Sequence, residues 1–237
     1  MIAITFALPA ESSGVVALFQ EKKRSDAKKI TIIQGKIDNR LVAIFHTGVG
    51  AKACASKIDN FLRAARPKIL ISSGFAGAVR DDWNVGDLLL SENFSDRHLL
   101  LRAERALGSQ HPWVGRLFTS TSIVDSVAER NEIARDNGAD AVDMETELIA
   151  QACAVHGVPL LSLRVISDTA RQPLPAPPKI LFDVERQRTN AAKLTLYLLT
   201  RPDRAGRLIA FSRRVSRARH NLTNAISLLV RELGPND

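Results

Sequence analysis

Residues 141–170, "AVDMETELIAQACAVHGVPLLSLRVISDTA", read as strand, helix and strand in quick succession. The runs "ADAVDM" and "PLLSLRVIS" are short, apolar and rich in branched residues, which suits strands covered on both faces, and a helix-forming run joins them. Acids stand where each strand ends: Asp143 and Glu145 at the first junction, Asp168 at the second. Burying a charge is costly unless it is paired or used. In open α/β sheets ligands bind beyond the carboxyl ends of the strands, so these acids are candidates for one cleft.

The alternation continues outward. "MIAITFAL", "KITIIQG", "LVAIFHTG", "KILISSG", "DLLLSE" and "GRLFTSTSIV" read as further strands, and helical patterns between them predict a layered α/β sheet. "AKACASKIDNFLRAA" places Ala53, Cys54, Ile58, Phe61 and Leu62 on one helical stripe, and "VAERNEIARDNG" is a second helix closed by Gly138. Glu11 follows the first strand in "FALPAE" and joins the strand-end acids; taken alone it reads equally as an exposed first-turn Glu favoured by the helix dipole. Two glycine-bearing turns, "HTGVGAK" at 46–52 and "SSGFAGAV" at 72–79, sit at comparable strand ends. Glycine permits close backbone approach to a phosphate or a sugar hydroxyl, while each turn alone is equally a tight strand-to-helix connection.

A chain of 237 residues with 45% hydrophobic content has material for one large core, so a single main domain is expected. Cys54 and Cys153 lie in helical runs without metal-ligand spacing, which reads as packing in a reduced compartment. No run approaches the roughly 18 apolar residues of a membrane span. The apolar N-terminus meets Pro9 and Glu11 too soon for a signal peptide, so a soluble, cytoplasmic protein is expected. The net charge of +8 is uneven: residues 179–237 hold 12 Lys and Arg against 5 acids, whereas the rest of the chain holds 21 against 20.

"FALPAE", "TGVGAKACA", "PKILISSGFAGAVRDDWNVGDLLLSE", "AVDMETELIA" and "VPLLSLRVISDTA", in this order, resemble the purine nucleoside phosphorylase and 5'-methylthioadenosine/S-adenosylhomocysteine nucleosidase superfamily over residues 1–170. The resemblance implies a three-layer α/β/α fold with a mixed central sheet, cleavage of an N-ribosyl bond, and neither cofactor nor metal. Such cleavage needs a proton for the departing purine, stabilisation of an oxocarbenium-like sugar, and a nucleophile on the opposite face. By motif match Asp168 is implied as the acid on the N7 side of the base, with apolar Val165 and Ile166 as its expected surroundings; alone it would also serve as a helix cap. Glu145 is implied to accept from the ribose 2'- and 3'-hydroxyls, Met144 to pack on the sugar face, and Glu11 to activate water. Asp143, standing where the family usually has Glu, is implied near the substrate together with Gly48, Gly74 and Phe75. Ile123 and Val124 take the place of the aromatic residue that stacks on the purine. Arg164 is a candidate partner for one of these carboxylates.

Departures from the family pattern narrow the reading. Phe75 stands where phosphorylases usually carry Ser or Thr, and Ser72 where many hexameric members have Arg; with Glu11 this favours water over phosphate, although Arg171 could rebuild an anion site. "NFSDRHLLLRAERALGSQHPWV" is shorter than the segment compact nucleosidases use to cover the sugar's 5' side, so that side is expected to be open. In the tail, Leu208, Phe211, Val215, Ala218, Leu222, Ile226, Leu229 and Leu233 recur at helical spacing among seven Arg between 201 and 219. Such a helix suits an anionic membrane surface, or packs its stripe on the domain or a partner subunit. One aromatic residue and no binding fold argue against nucleic acid. With "QPLPAPP" at 172–178 as a rigid connector, the tail resembles the hopanoid-associated phosphorylase branch, which releases adenine from adenosylhopane. The expectation is thus a catalytic domain over 1–200 and a basic amphipathic helical tail over 201–237. Its partners would be a lipid-linked or small soluble adenine nucleoside, phosphate if it is the nucleophile, a membrane surface, and further copies of the chain. A catalytically silent nucleoside-binding module is the alternative.

Overall fold

The computed structural model describes residues 1–27, 30–177, 180, 201 and 205–234. Its centre is a mixed ten-stranded sheet. Strands β1 (Ile2–Phe6), β4 (Arg40–His46), β5 (Ile69–Ala78) and β10 (Leu160–Asp168) form the parallel heart, in the order β4-β1-β5-β10. β3 (Ile30–Ile37) and β2 (Gln20–Ala27) extend it by antiparallel pairing on one side; on the other, β6 (Leu88–Ser91) pairs antiparallel with β10 and β7 (Trp113–Gly115) pairs parallel with β6. β9 (Ala141–Asp143) pairs with the end of β5 and with β8 (Leu117–Thr119).

Alternation along the central strands builds the layers, because successive side chains point to opposite faces. Ile2, Ile4 and Phe6 of β1 face one layer with α1 (Pro9–Ala17), α3 (Arg97–Ala106) and α6 (Ala205–Leu233). Ala3, Phe45 and Leu70 face the other, formed by α2 (Ala51–Ala65) and α5 (Thr146–His156). Cys54, Ile58, Phe61 and Leu62 are the buried stripe of α2, and Phe61 stacks on Phe45 at 3.8 Å between ring centroids. This is the layered α/β sheet that the sequence pattern predicts, in the three-layer form that the family resemblance implies. α4 (Val127–Asn137) ends at Gly138 with φ of 60°, as expected of a helix closed by glycine.

Two elements depart from the pattern. β2, "QEKKRSDA", lacks apolar alternation because it is an edge strand whose mostly exposed, charged side chains discourage pairing with another chain. The run "GRLFTSTSIV" is broken: Gly115 ends β7, Leu117–Thr119 is β8, and the rest forms a loop through Ser122–Val124.

The tail helix has two unlike halves. Ala218, Leu222, Ala225, Ile226, Leu229, Val230 and Leu233 are buried in the same cluster as β1, β4, β5 and β10, so packing on the domain accounts for the second half of the stripe. In the first half Leu208, Phe211 and Val215 are only half-buried, Ile209 is 55% exposed, and Arg207, Arg213 and Arg217 are exposed. The expected boundary at 200/201, and most of residues 178–204, lie outside the described residues. No described helix is long and apolar enough to cross a membrane.

Candidate active site

The carboxyl ends of β1, β5, β9 and β10 surround a cavity of about 150 Å³. Glu11, Phe75, Ile123, Val124, Asp143, Met144, Glu145 and Asp168 all line it, together with Leu8, Val49, Ser122 and Ser167. Among the sequence candidates, Gly48 does not line it; its neighbour Val49 does, and Gly48, with φ of 80°, makes the turn that delivers Val49. Gly74 lies behind, in a small recess shared with Glu11, Glu145 and Arg164. No lysine or arginine lines the main cavity among the described residues.

Glu11 enters from the first turn of α1. Its Oε2 accepts from the Leu8 amide at 2.8 Å and its Oε1 from the Phe75 amide at 3.0 Å, so it is a held, buried group rather than an exposed helix-start acid. Gly74 makes this possible: a Cβ there would stand 2.9 Å from Glu11 Oε1, and φ of +154° is one that other residues rarely adopt. Burial pushes the Glu11 carboxyl above its usual value, against the pull of the Phe75 and Leu8 amides. Ser12 fastens the same helix to β4 by a 2.8 Å bond to His46 Nε2.

Glu145 precedes α5. Its Oε1 accepts from the Gly50 amide, the start of α2, at 2.8 Å, a contact across 95 residues that no sequence motif announced. Burial first, then the like charge of Asp143, raise it to about 8. Asp143 itself is engaged by protein donors: Thr119 Oγ1 at 2.9 Å, Arg164 Nε at 3.1 Å and Arg164 Nη2 at 2.9 Å. Arg164 Nη2 also reaches Ser72 Oγ at 2.8 Å, which answers the question of its partner and places a buried cation below the acids. Arg171 is exposed and does not line the cavity.

Asp168 ends β10 at a register shift between Ile166 and Asp168, the kind of bulge that re-aims a side chain. Val165 and Ile166 are buried in the hydrophobic cores, and the expected apolar surroundings of Asp168 give way to donors. Ser167 Oγ donates to Oδ1 at 2.7 Å, and the Arg130 Nη2 donates to Oδ2. Arg130 was invisible to sequence reasoning, because one arginine in the charged helix "VAERNEIARDNG" carries no signal of burial.

Four carboxylates around a partly apolar cavity can stabilise a developing cation, accept from hydroxyls, and hold or pass a proton. The sequence matches the model of the Phosphorylase superfamily over residues 1–102 and 93–201. A 5'-methylthioadenosine/S-adenosylhomocysteine nucleosidase of Staphylococcus haemolyticus is 27% identical over 198 residues, covering 72% of this chain and 87% of that protein. One from Haemophilus influenzae is 26% identical over 195 residues, covering 70% and 85%. Among solved structures, the S-adenosylhomocysteine nucleosidase of Streptococcus pyogenes has a TM-score of 0.75 at 17% identity, covering 99% of this chain and 97% of that one. The futalosine hydrolase of Helicobacter pylori has a TM-score of 0.72 at 17% identity, covering 98% and 97%. At such identities the structural likeness is one of fold.

Proposed function

Since the chain belongs to the Phosphorylase superfamily, we propose that it is an enzyme that cleaves the N-glycosidic bond of an adenine nucleoside and releases adenine. The observation that carries this reading is the convergence of Glu11, Met144, Glu145 and Asp168 on one cavity at the strand ends. The names of the relatives, nucleosidases and a futalosine hydrolase, support the same chemistry.

In this reading the base lies toward Asp168, Ile123 and Val124, and the ribose over Met144, with Glu145 accepting from its hydroxyls. As the bond between C1' and N9 lengthens, positive charge grows on the sugar, and the surrounding carboxylates stabilise it. Asp168 serves the N7 side of the base, where a proton must arrive for adenine to leave neutral. Glu11 takes a proton from the attacking water; a carboxyl raised by burial is a better base near neutral pH than an ordinary one.

Water is favoured over phosphate by charge. No lysine or arginine among the described residues lines the cavity to receive an anion, and Arg164 is already committed to Asp143. For the 5' substituent, none of residues 92–119 lines the cavity, which supports an open side and a bulky group such as the hopane of adenosylhopane. The basic half of α6 would bring such a lipid-bearing substrate to residues 1–200 from a membrane surface. A second reading, a small soluble nucleoside such as methylthioadenosine or S-adenosylhomocysteine, is favoured by the names of the curated relatives.

The experiment incubates the purified protein with methylthioadenosine, S-adenosylhomocysteine, inosine and adenosylhopane, with and without phosphate, and measures the free base and the sugar product. Adenine with free ribose product is expected, and Asp168→Asn lowers its rate by about 10²–10⁴-fold, the usual worth of proton delivery. A loss of less than about tenfold would remove Asp168 from that role. Nucleoside binding without base release from any substrate would mark a binding module.

A further inference from the structure

Arg130 is 1% exposed and among the largest fully buried side chains of the molecule. It sits on α4, outside the cavity lining, and its guanidinium joins three separate pieces of chain. Nη1 donates to the carbonyl of Ala78 at the end of β5, and Nη2 donates both to the carbonyl of Val124, at 3.2 Å, and to Asp168 Oδ2. Its Nε is buried without a partner. An arginine buried with one donor unsatisfied is a poor way to stabilise a helix, since hydrophobic packing would do as well or better. Its three acceptors instead coincide with one side of the site. Val124 and Asp168 both line the cavity, and Gly77, beside Ala78, lines it too.

We propose that Arg130 is a positioning residue for departure of the base: it fixes the plane of the Asp168 carboxylate at the edge of the purine pocket, so that the proton-handling group keeps a set geometry. The proposal rests on the N-ribosyl cleavage reading. A carboxylate at a strand end turns readily about its last torsion, which is broad and two-fold. Here Arg130 takes one oxygen and Ser167 the other, at 2.7 Å for the latter, so the plane of the group is set. Each oxygen keeps a further lone-pair direction for the substrate. Gly77 leaves the room: a Cβ there would come within 3.1 Å of both Arg130 Nη1 and Asp168 Oδ2. The planar fork of arginine suits several acceptors at once, which the single nitrogen of lysine does not.

The test compares wild type, Arg130→Met and Arg130→Lys on two substrates, methylthioadenosine and p-nitrophenyl β-ribofuranoside, whose nitrophenolate leaves without needing a proton. In Arg130→Met, kcat for methylthioadenosine falls about 10²-fold, the cost of roughly 1 Å of misplacement, with KM little changed. The nitrophenyl riboside is cleaved at nearly the wild-type rate, and Arg130→Lys lies between. In an Asp168→Asn background, adding Arg130→Met causes no further loss of adenine release, because the two residues act as a unit. If Arg130→Met does not fold, Arg130→Lys carries the same comparison, since it keeps the buried charge. An equal fall on both substrates would make Arg130 a general structural support, and no fall on either would leave it without a role; both overturn the proposal. Wild type that releases adenine from no nucleoside instead overturns the proposed function itself.

Discussion

A buried carboxylate beside a second carboxylate holds its proton more tightly than one in water, and Glu145 has both conditions at once. It titrates near 4.5 in an ordinary setting and near 8 in the fold. Between those values the folded protein binds more protons than the unfolded chain, so this group's contribution is full below about pH 4.5 and is lost as pH rises through about 8. Glu11, also raised by burial, adds to the loss in the same direction. Urea unfolding at about pH 5 and about pH 8.5 should show the wild type weaker at the higher pH, and Glu145→Gln should narrow the difference. An unchanged difference would assign the pH dependence to other groups. Above about pH 8, where Glu145 is ionised, the same substitution should chiefly raise KM, because the amide keeps one acceptor but loses the charge that strengthens bonds from the ribose hydroxyls.

At the level of elements, α6 combines two kinds of helix in one rod. Leu222, Ile226 and Leu229 face the sheet, so Leu222→Ala should destabilise by about 2–5 kcal/mol, the range for truncating a buried leucine. Ile209→Ser, in the exposed half, should change stability by no more than about 0.5 kcal/mol. Denaturant midpoints of the two variants check this directly; similar losses in both would mean that the first half is also covered. The contrast was partly legible. Helical spacing and the arginines were plain in the sequence, but one stripe runs through both halves, and only packing tells where the sheet stops covering it.

For the whole molecule, charge is uneven: four acids line the cavity, and residues 205–217, at the start of α6, hold four arginines and no acid. The proposal that this half meets an anionic lipid surface predicts salt-sensitive binding, since each basic residue near headgroups contributes about 1 kcal/mol that screening removes. Deleting the tail would be a poor test, because it would also strip Leu222 and Leu229 from the core. Replacing Arg207, Arg213 and Arg217 by Glu leaves the buried half intact. Sedimentation with phosphatidylserine-containing vesicles should pellet the wild type at low salt, and the triple variant should stay in the supernatant. Equal partitioning of the two would remove the membrane role and favour the small soluble nucleoside as substrate.

The sequence by itself determined the layered α/β architecture, the helices at 51–65 and 127–137, and the strand-end acids Glu11, Asp143, Glu145 and Asp168. These were legible because periodicity and strand-end position are local properties of the chain. Tertiary structure alone decided what each acid touches. The Gly50 amide on Glu145, the Phe75 amide on Glu11, Arg164 under Asp143 and Arg130 behind Asp168 join residues between 21 and 95 positions apart. Arg164, set in an apolar strand run, could be suspected of a buried role, but nothing in the charged helix "VAERNEIARDNG" distinguishes the buried Arg130 from a solvated arginine. That distinction arises only when strands and helices from distant segments close around the side chain, exclude water, and leave its donors no acceptors but those of the site.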